Sequence, residues 1–235
     1  MTNSIEKIAT TLFASLCASA AIVSANVEQA KAQAGANTGL CVPAIATGRV
    51  RCDYDNGDRY VGNFVNGLPN GNGTYIYSGG DRYEGEFSNG VPNGQGTYIF
   101  SNDARVTGVY RDGKITAGTA LFANGDRYEG SFDTTRKIGT PTGRGTFVFS
   151  NGDRYQGEFL GGQPLGQGTF TRADGTRCQG TFFNQNLDGD GTCTYPSGLR
   201  YEGELRGGVP HGVGTIIEAG KRFPGTFRNG QREDF

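Results

Sequence analysis

Apolar and polar side chains alternate strictly along Arg82-Tyr83-Glu84-Gly85-Glu86-Phe87, with Tyr83, Gly85 and Phe87 on one face and Arg82, Glu84 and Glu86 on the other. That is the pattern of a half-buried β-strand. Ser88 to Gly96 follows, dense in Gly, Asn and Pro, and reads as a reversal of the chain. Thr97-Tyr98-Ile99-Phe100 reads as the returning strand, so Gly80 to Asn102 is a predicted β-hairpin. A short link such as Ser78-Gly79-Gly80 joins one hairpin to the next.

The same pattern starts again at Gly57, Gly80, Asp103, Gly125, Gly152, Gly175, Gly198 and Gly220, a period of about 23 residues that marks a repeat array. An isolated hairpin is marginal in water, so each must pair or stack with its neighbours. The expected fold class is all-β: an elongated single-layer array of antiparallel β-hairpins, with about sixteen strands spanning roughly 75 Å at the usual strand spacing. Gly48 to Asp55 reads as the return strand of an incomplete first repeat that caps one end. The last repeat is expected to stop at Phe235 without a second strand, leaving an edge for a partner or a second copy. Gly62, Gly85, Gly108, Gly130, Gly157, Gly180, Gly203 and Gly225 each sit at a strand centre between mainly aromatic positions. Glycine is costly there unless another group approaches closely, and a neighbouring aromatic ring is the simplest such group.

Composition supports this picture. Of 235 residues 41 are Gly and none is Trp, and because the glycines are periodic they read as turns in a folded array, with few helices. The first 34 residues differ: a polar start with Lys7, an apolar stretch from Ile8 to Val23, and the small-x-small sequence Ala32-Gln33-Ala34 predict a signal peptide over 1–34. Val23-Ser24-Ala25 is a competing cleavage site, and a retained anchor is an alternative, although the stretch falls short of the roughly 20 apolar residues of a spanning helix. Residues 35–56 then form an N-terminal lead-in with a capping strand, and 57–235 the array. Removing 1–34 takes away two acids and two bases, so the net charge stays at −1 and offers no general attraction to nucleic acid. Location is expected to be periplasmic or extracellular.

Four cysteines remain after that cleavage, an even number in an oxidising compartment, which favours disulfides over metal. Cys178 and Cys193 each replace a recurrent aromatic on the two arms of one hairpin, which predicts a cross-strand bridge. Cys41 and Cys52 then pair by elimination and pin the lead-in. Zinc would need a C-x-x-C or histidine partners, and neither is present.

Taken together, the repeats resemble the membrane occupation and recognition nexus (MORN) family, whose core reads Y-x-G-x-(F/W)-x-x-G-x-x-x-G-x-G. Here it stands as Tyr83-Glu84-Gly85-Glu86-Phe87 with Gly90, Gly94 and Gly96, and again over Tyr60 to Gly73, Tyr155 to Gly168 and Tyr201 to Gly214. Asp103 to Asn124 departs, with Val106 for Tyr and the first turn Gly lacking. Gly125 to Asn151 has a turn four residues longer, and Gly175 to Ser197 carries the cysteines. The resemblance implies an antiparallel β array acting as a scaffold, dimerisation or membrane-proximal module. Such arrays accompany plant phosphatidylinositol phosphate kinases, junctophilins and some lysine methyltransferases, and phospholipid binding is proposed for several. No kinase domain follows here.

Candidate contacts come from two rows. An arginine precedes the Tyr position in each repeat, including Arg59, Arg82, Arg127, Arg154 and Arg200, and could form a comb for phosphates or an acidic polymer. Local pairing with Glu84, Glu86, Glu129, Glu158, Glu202 and Glu204 on the same face is the competing reading. Tyr60, Tyr83, Tyr128, Tyr155 and Tyr201 could stack sugar rings or a peptide, against plain sheet packing. The extended turn Asp133 to Arg144 adds Arg136, Lys137 and Arg144 where specificity often sits. Asp188-Gly189-Asp190-Gly191 echoes a calcium loop but lacks the bidentate Glu, and G-x-G without a following helix is no dinucleotide site. His211 is the single histidine, so no conventional nucleophile–base pair exists. The expected function is a non-enzymatic exported repeat scaffold for protein–protein interaction or self-association, without cofactor or metal. The alternative is binding of a phospholipid headgroup or cell-envelope glycan through the Arg column or aromatic groove.

Overall fold

The structure, a computed structural model, describes residues 39–135, 139–184 and 186–233. The expected signal peptide, Arg136 and Lys137 lie outside the described residues. Those described hold eighteen strands and no helix, and the pairings between successive strands are antiparallel. The all-β hairpin array expected from the alternation is what forms.

The strands are β1 (Gly39–Val42), β2 (Gly48–Tyr54), β3 (Arg59–Val65), β4 (Leu68–Ile76), β5 (Arg82–Ser88), β6 (Val91–Ile99), β7 (Arg105–Arg111), β8 (Lys114–Leu121) and β9 (Arg127–Asp133). They continue with β10 (Thr140–Val148), β11 (Arg154–Leu160), β12 (Gln163–Thr171), β13 (Arg177–Phe182), β14 (Gly189–Thr194), β15 (Arg200–Arg206), β16 (Val209–Glu218), β17 (Lys221–Arg228) and β18 (Gln231–Glu233). Two compact units contain them. One holds the described residues up to Gly125 with Ser131–Thr140, the other Asp126–Gly130 with Pro141 onward. In the first unit β1 to β8 pair in chain order, and in the second β10 to β18 do the same.

The hairpin turns are much tighter than expected. Asn89 and Gly90 have φ of 49° and 84°, so a two-residue turn with both centres left-handed reverses the chain, and its twist matches that of the flanking strands. Val91-Pro92-Asn93-Gly94-Gln95-Gly96 is therefore strand, not turn. Its glycines serve a bulge: Gly85 faces Gly96 but Phe87 faces Pro92, so the return strand carries extra residues opposite Glu86, and Gly94 takes them up at φ 115°. The divergent repeat does have its turn, Asp112-Gly113. What it lacks is the bulge glycine, and Val109 faces Ala117 while Tyr110 faces Ile115.

Both chain ends differ in detail from the expectation. β2 forms where the capping strand was expected, but β1 pairs outside it, with Cys41 of β1 opposite Cys52 of β2. The last repeat is not left without a second strand: β18 pairs with β17 from Thr226 to Arg228. Arg144 stands in β10 and not in the extended turn.

The core is a row of aromatic rings lying along one face. Tyr83 faces Tyr75 on one side and Tyr98 on the other, and all three are buried. Tyr83 meets Phe87 and Tyr110 edge-on, with ring centroids 5.1 and 5.0 Å away. In the second unit Tyr155 packs the same way against Phe159 and Phe182, at 5.3 and 5.7 Å.

Candidate functional site

The repeated glycines explain how a one-layer sheet closes its apolar face. A Cβ on Gly96 would sit 2.1 Å from the Tyr83 hydroxyl, and one on Gly168 would sit 2.4 Å from that of Tyr155. Each tyrosine thus lies down across glycines of its own hairpin, as expected from the glycine placement. Its hydroxyl reaches the far end and donates to a backbone carbonyl: Tyr60 to Asn63 at 2.9 Å, Tyr83 to Glu86 at 3.1 Å, Tyr155 to Glu158 at 3.2 Å, Tyr201 to Glu204 at 2.7 Å. Tyr60, Tyr83, Tyr128, Tyr155 and Tyr201 are all fully buried, so no ring face is open to a sugar or peptide. Burial pushes the Tyr155 and Tyr201 phenols up to about 12.

A second buried row is aspartate, which the sequence reading passed over. Asp81 accepts from the Tyr98 hydroxyl at 2.8 Å and from the Ser101 amide at 2.9 Å. Asp58 does the same for Tyr75 and Ser78, at 2.7 and 2.8 Å. Where the facing aromatic is Phe170, Asp153 takes the Ala173 amide at 2.9 Å and the Asn151 side chain at 2.9 Å. These carboxylates tie one inter-repeat turn to the next, and the Gly-Asp-Arg-Tyr order that recurs from Gly57, Gly80, Gly125 and Gly152 was the signal that could have found them.

The arginine column splits in two on the opposite face. Arg82 pairs with Glu84 at 2.7 Å, Arg127 with Glu129 at 2.7 Å, and Arg200 with Glu202 at 3.4 Å, while Arg59 pairs with Asp53. Arg59, the first cause, holds the Asp53 carboxyl below its ordinary range. These are exposed pairs and stabilise little. Arg105, Arg154 and Arg177 are different: the residue two positions on is Thr107, Gln156 or Gln179, and among the described residues none of the three has an ion pair.

A recess of 570 Å³ opens on this face of the second unit. Its floor is backbone at Gly157 and Gly168, and Gln156, Gln167, Gln179 and Thr169 rise around it with Arg144 and Glu129. Cross-strand disulfides join Cys41 to Cys52 and Cys178 to Cys193. The latter occupies the aromatic row, both cysteines being buried. His211 accepts from the Asn229 amide at 3.5 Å and has no acidic or nucleophilic partner among the described residues. Among the described residues no group of three or more metal-ligating side chains occurs, and there is no helix long and apolar enough to cross a membrane, which says nothing of a β-barrel.

No curated protein matches the chain. Among solved structures, it is similar to the TCP domain of SAS-4 (dCPAP) of Drosophila melanogaster in complex with a proline-rich motif of Ana2 (dSTIL), at 16% identity and a TM-score of 0.43, over 70% of this chain and 86% of that one. It is likewise similar to the G-box domain of the microcephaly protein CPAP, at 16% identity and a TM-score of 0.41, over 77% of this chain and 87% of that one. The MORN repeat family model matches residues 60–82, 83–105, 137–154, 155–177, 178–200 and 201–217, more than half of the chain.

Proposed function

We propose that this chain, which belongs to the MORN-repeat family, is an exported, non-enzymatic scaffold that takes up a protein partner by strand addition at β1. MORN repeats are in general interaction repeats for proteins or lipids, and no enzyme family is indicated. The observation that carries the reading is the contrast between two strand edges. β1 is paired on one side by β2, has no strand on its other side among the described residues, and exposes Leu40 at 74% and Val42 at 63% while Cys41–Cys52 holds it in place. The part of β17 that β18 does not pair is blunted instead: Pro224 removes a donor, and the Arg232 guanidinium covers the Pro224 carbonyl at 2.8 Å.

Export is supported by the signal-like segment 1–34 and by two disulfides, which persist in oxidising compartments. In this reading 35–56 is the lead-in and 57–235 the array. The test is capture from cell-envelope extract by the exported chain, beside its mass in solution. Leu40→Lys with Val42→Lys is expected to abolish capture or dimerisation. A parent chain that stays monomeric and captures nothing, or capture indifferent to the lysines, would refute it.

A further inference from the structure

We propose that the recess on the polar face of the second unit binds an acidic glycan, one with a carboxylate on alternate sugar rings. This site is separate from the β1 edge, so failure of one reading leaves the other standing. Charge supplies the first argument. On β10 to β13 this face carries Arg144, Arg154 and Arg177 against Glu158, whereas β5 carries Arg82 against Glu84 and Glu86. Arg144 lines the recess with Glu129 of β9, whose charge Arg127 meets at 2.7 Å, and Arg154 and Arg177 stand beside the lining on the strands of Gln156 and Gln179. Glu158 is moreover engaged, accepting from the Gln167 amide nitrogen at 3.1 Å. Gln156 and Gln179 stand where Glu84 and Glu202 neutralise the arginine in sister repeats. Arg177 donates to the Thr169 hydroxyl at 3.4 Å, and no carboxylate among the described residues pairs with it or with Arg154, so their forked donors suit an outside carboxylate.

Spacing is the second argument. Arg154 on β11 and Arg177 on β13 both face Thr171 on β12. They are two strand spacings apart, about 10 Å, the length over which a polymer of alternating uronic acid repeats two linked rings.

The lining decides between anions. Gln156, Gln179 and Thr169 can each donate and accept, which matches sugar hydroxyls; phosphate or carboxylate alone asks only for donors. The glycine floor at Gly157 and Gly168 lets a ring lie against backbone. No aromatic side chain lines the recess for stacking a base.

The test titrates a fluorescent hyaluronate octasaccharide into the full chain at low ionic strength, beside a neutral maltooligosaccharide of equal length and a polyglutamate peptide. Hyaluronate is expected to bind at least tenfold more tightly than either control. Gln156→Glu and Gln179→Glu, which restore the acid present in sister repeats and so keep the fold, are each expected to weaken it roughly tenfold. Arg82→Ala, in the locally paired part of the column, is expected to change nothing. Absence of hyaluronate binding, equal binding of polyglutamate, or full affinity in both glutamate variants overturns the proposal.

Discussion

Replacing Gly96 by alanine adds one methyl group to a strand that tolerates the backbone change and yet should damage the first unit severely. The new Cβ would lie 2.1 Å from the Tyr83 hydroxyl, 2.4 Å from Cζ and 2.7 Å from Cε2. Tyr83 cannot retreat, because it is fully buried with Phe87 and Tyr110 edge-on against it at 5.1 and 5.0 Å. Overpacking of this kind costs about 1–3 kcal/mol, and losing the 3.1 Å bond to the Glu86 carbonyl adds about 1 kcal/mol. The expected loss is therefore about 2–4 kcal/mol, a fall of about 1–2 M in urea midpoint for a unit of this size. Gly79→Ala is the matched control, since nothing lies within 4 Å of its Cβ position. It should be neutral or stabilising by up to about 1 kcal/mol. Urea unfolding followed by far-ultraviolet circular dichroism and tyrosine fluorescence reads both. In Tyr83→Ala, Gly96→Ala should cost about 1–3 kcal/mol less than in the parent, because the ring it strikes is gone. If Gly96→Ala behaves like Gly79→Ala, or if the double variant is additive, the lying-down tyrosine does not explain the repeated glycines.

Asp81→Ala leaves the Tyr98 hydroxyl and the Ser101 amide without their acceptor, and an expected loss of about 2–3 kcal/mol is read in the same urea assay. Cys193→Ser opens a loop of sequence separation 15 and should lower stability by about 3 kcal/mol; alkylation without reductant, read by mass, should leave all four described cysteines of the parent unlabelled. The Tyr155 and Tyr201 phenols, raised by burial to about 12 against 10 in the unfolded chain, bind their protons more tightly in the native state. The stability they contribute is complete below pH 10 and is lost as pH climbs through 12. Absorbance of tyrosinate should therefore rise together with loss of circular dichroism in that window, and free titration of the tyrosines at pH 10 in a folded chain would contradict the packing.

The strands were legible because alternation with a half-buried face leaves a direct trace in the order of residues, as at Arg82 to Phe87. The turns were legible only in kind. Asn89-Gly90 is a recognisable two-residue turn, but Val91 to Gly96 looks like loop when read locally, since Pro92 cannot donate to a ladder and Gly94 has no side chain to pack. Pairing resolves it: the Pro92 carbonyl accepts from the Gly113 amide at 2.8 Å and the bulge absorbs Gly94. The buried aspartates escaped notice because an acid beside an arginine reads as surface charge. Asp81 becomes interior only when Tyr98, 17 residues on, is folded against it.

Sequence alone determined the array, its period, the aromatic row, both disulfides and the tyrosine crowding at central glycines such as Gly62, Gly130 and Gly157, because each is a relation between residues of one repeat or adjacent repeats; at Gly108, Gly180 and Gly225 backbone or Arg232 crowds the position instead. Tertiary structure decided which side chains remain available. It laid the tyrosines flat and sealed them, so the aromatic face closed as a binding surface. It also sorted arginines that look alike in the sequence: Arg82, Arg127 and Arg200 pair with the glutamate two residues on, whereas Arg59 and Arg222 reach Asp53 and Glu202 on other strands. Those latter pairs depend on which strands lie nearby, and periodicity along one chain does not contain that.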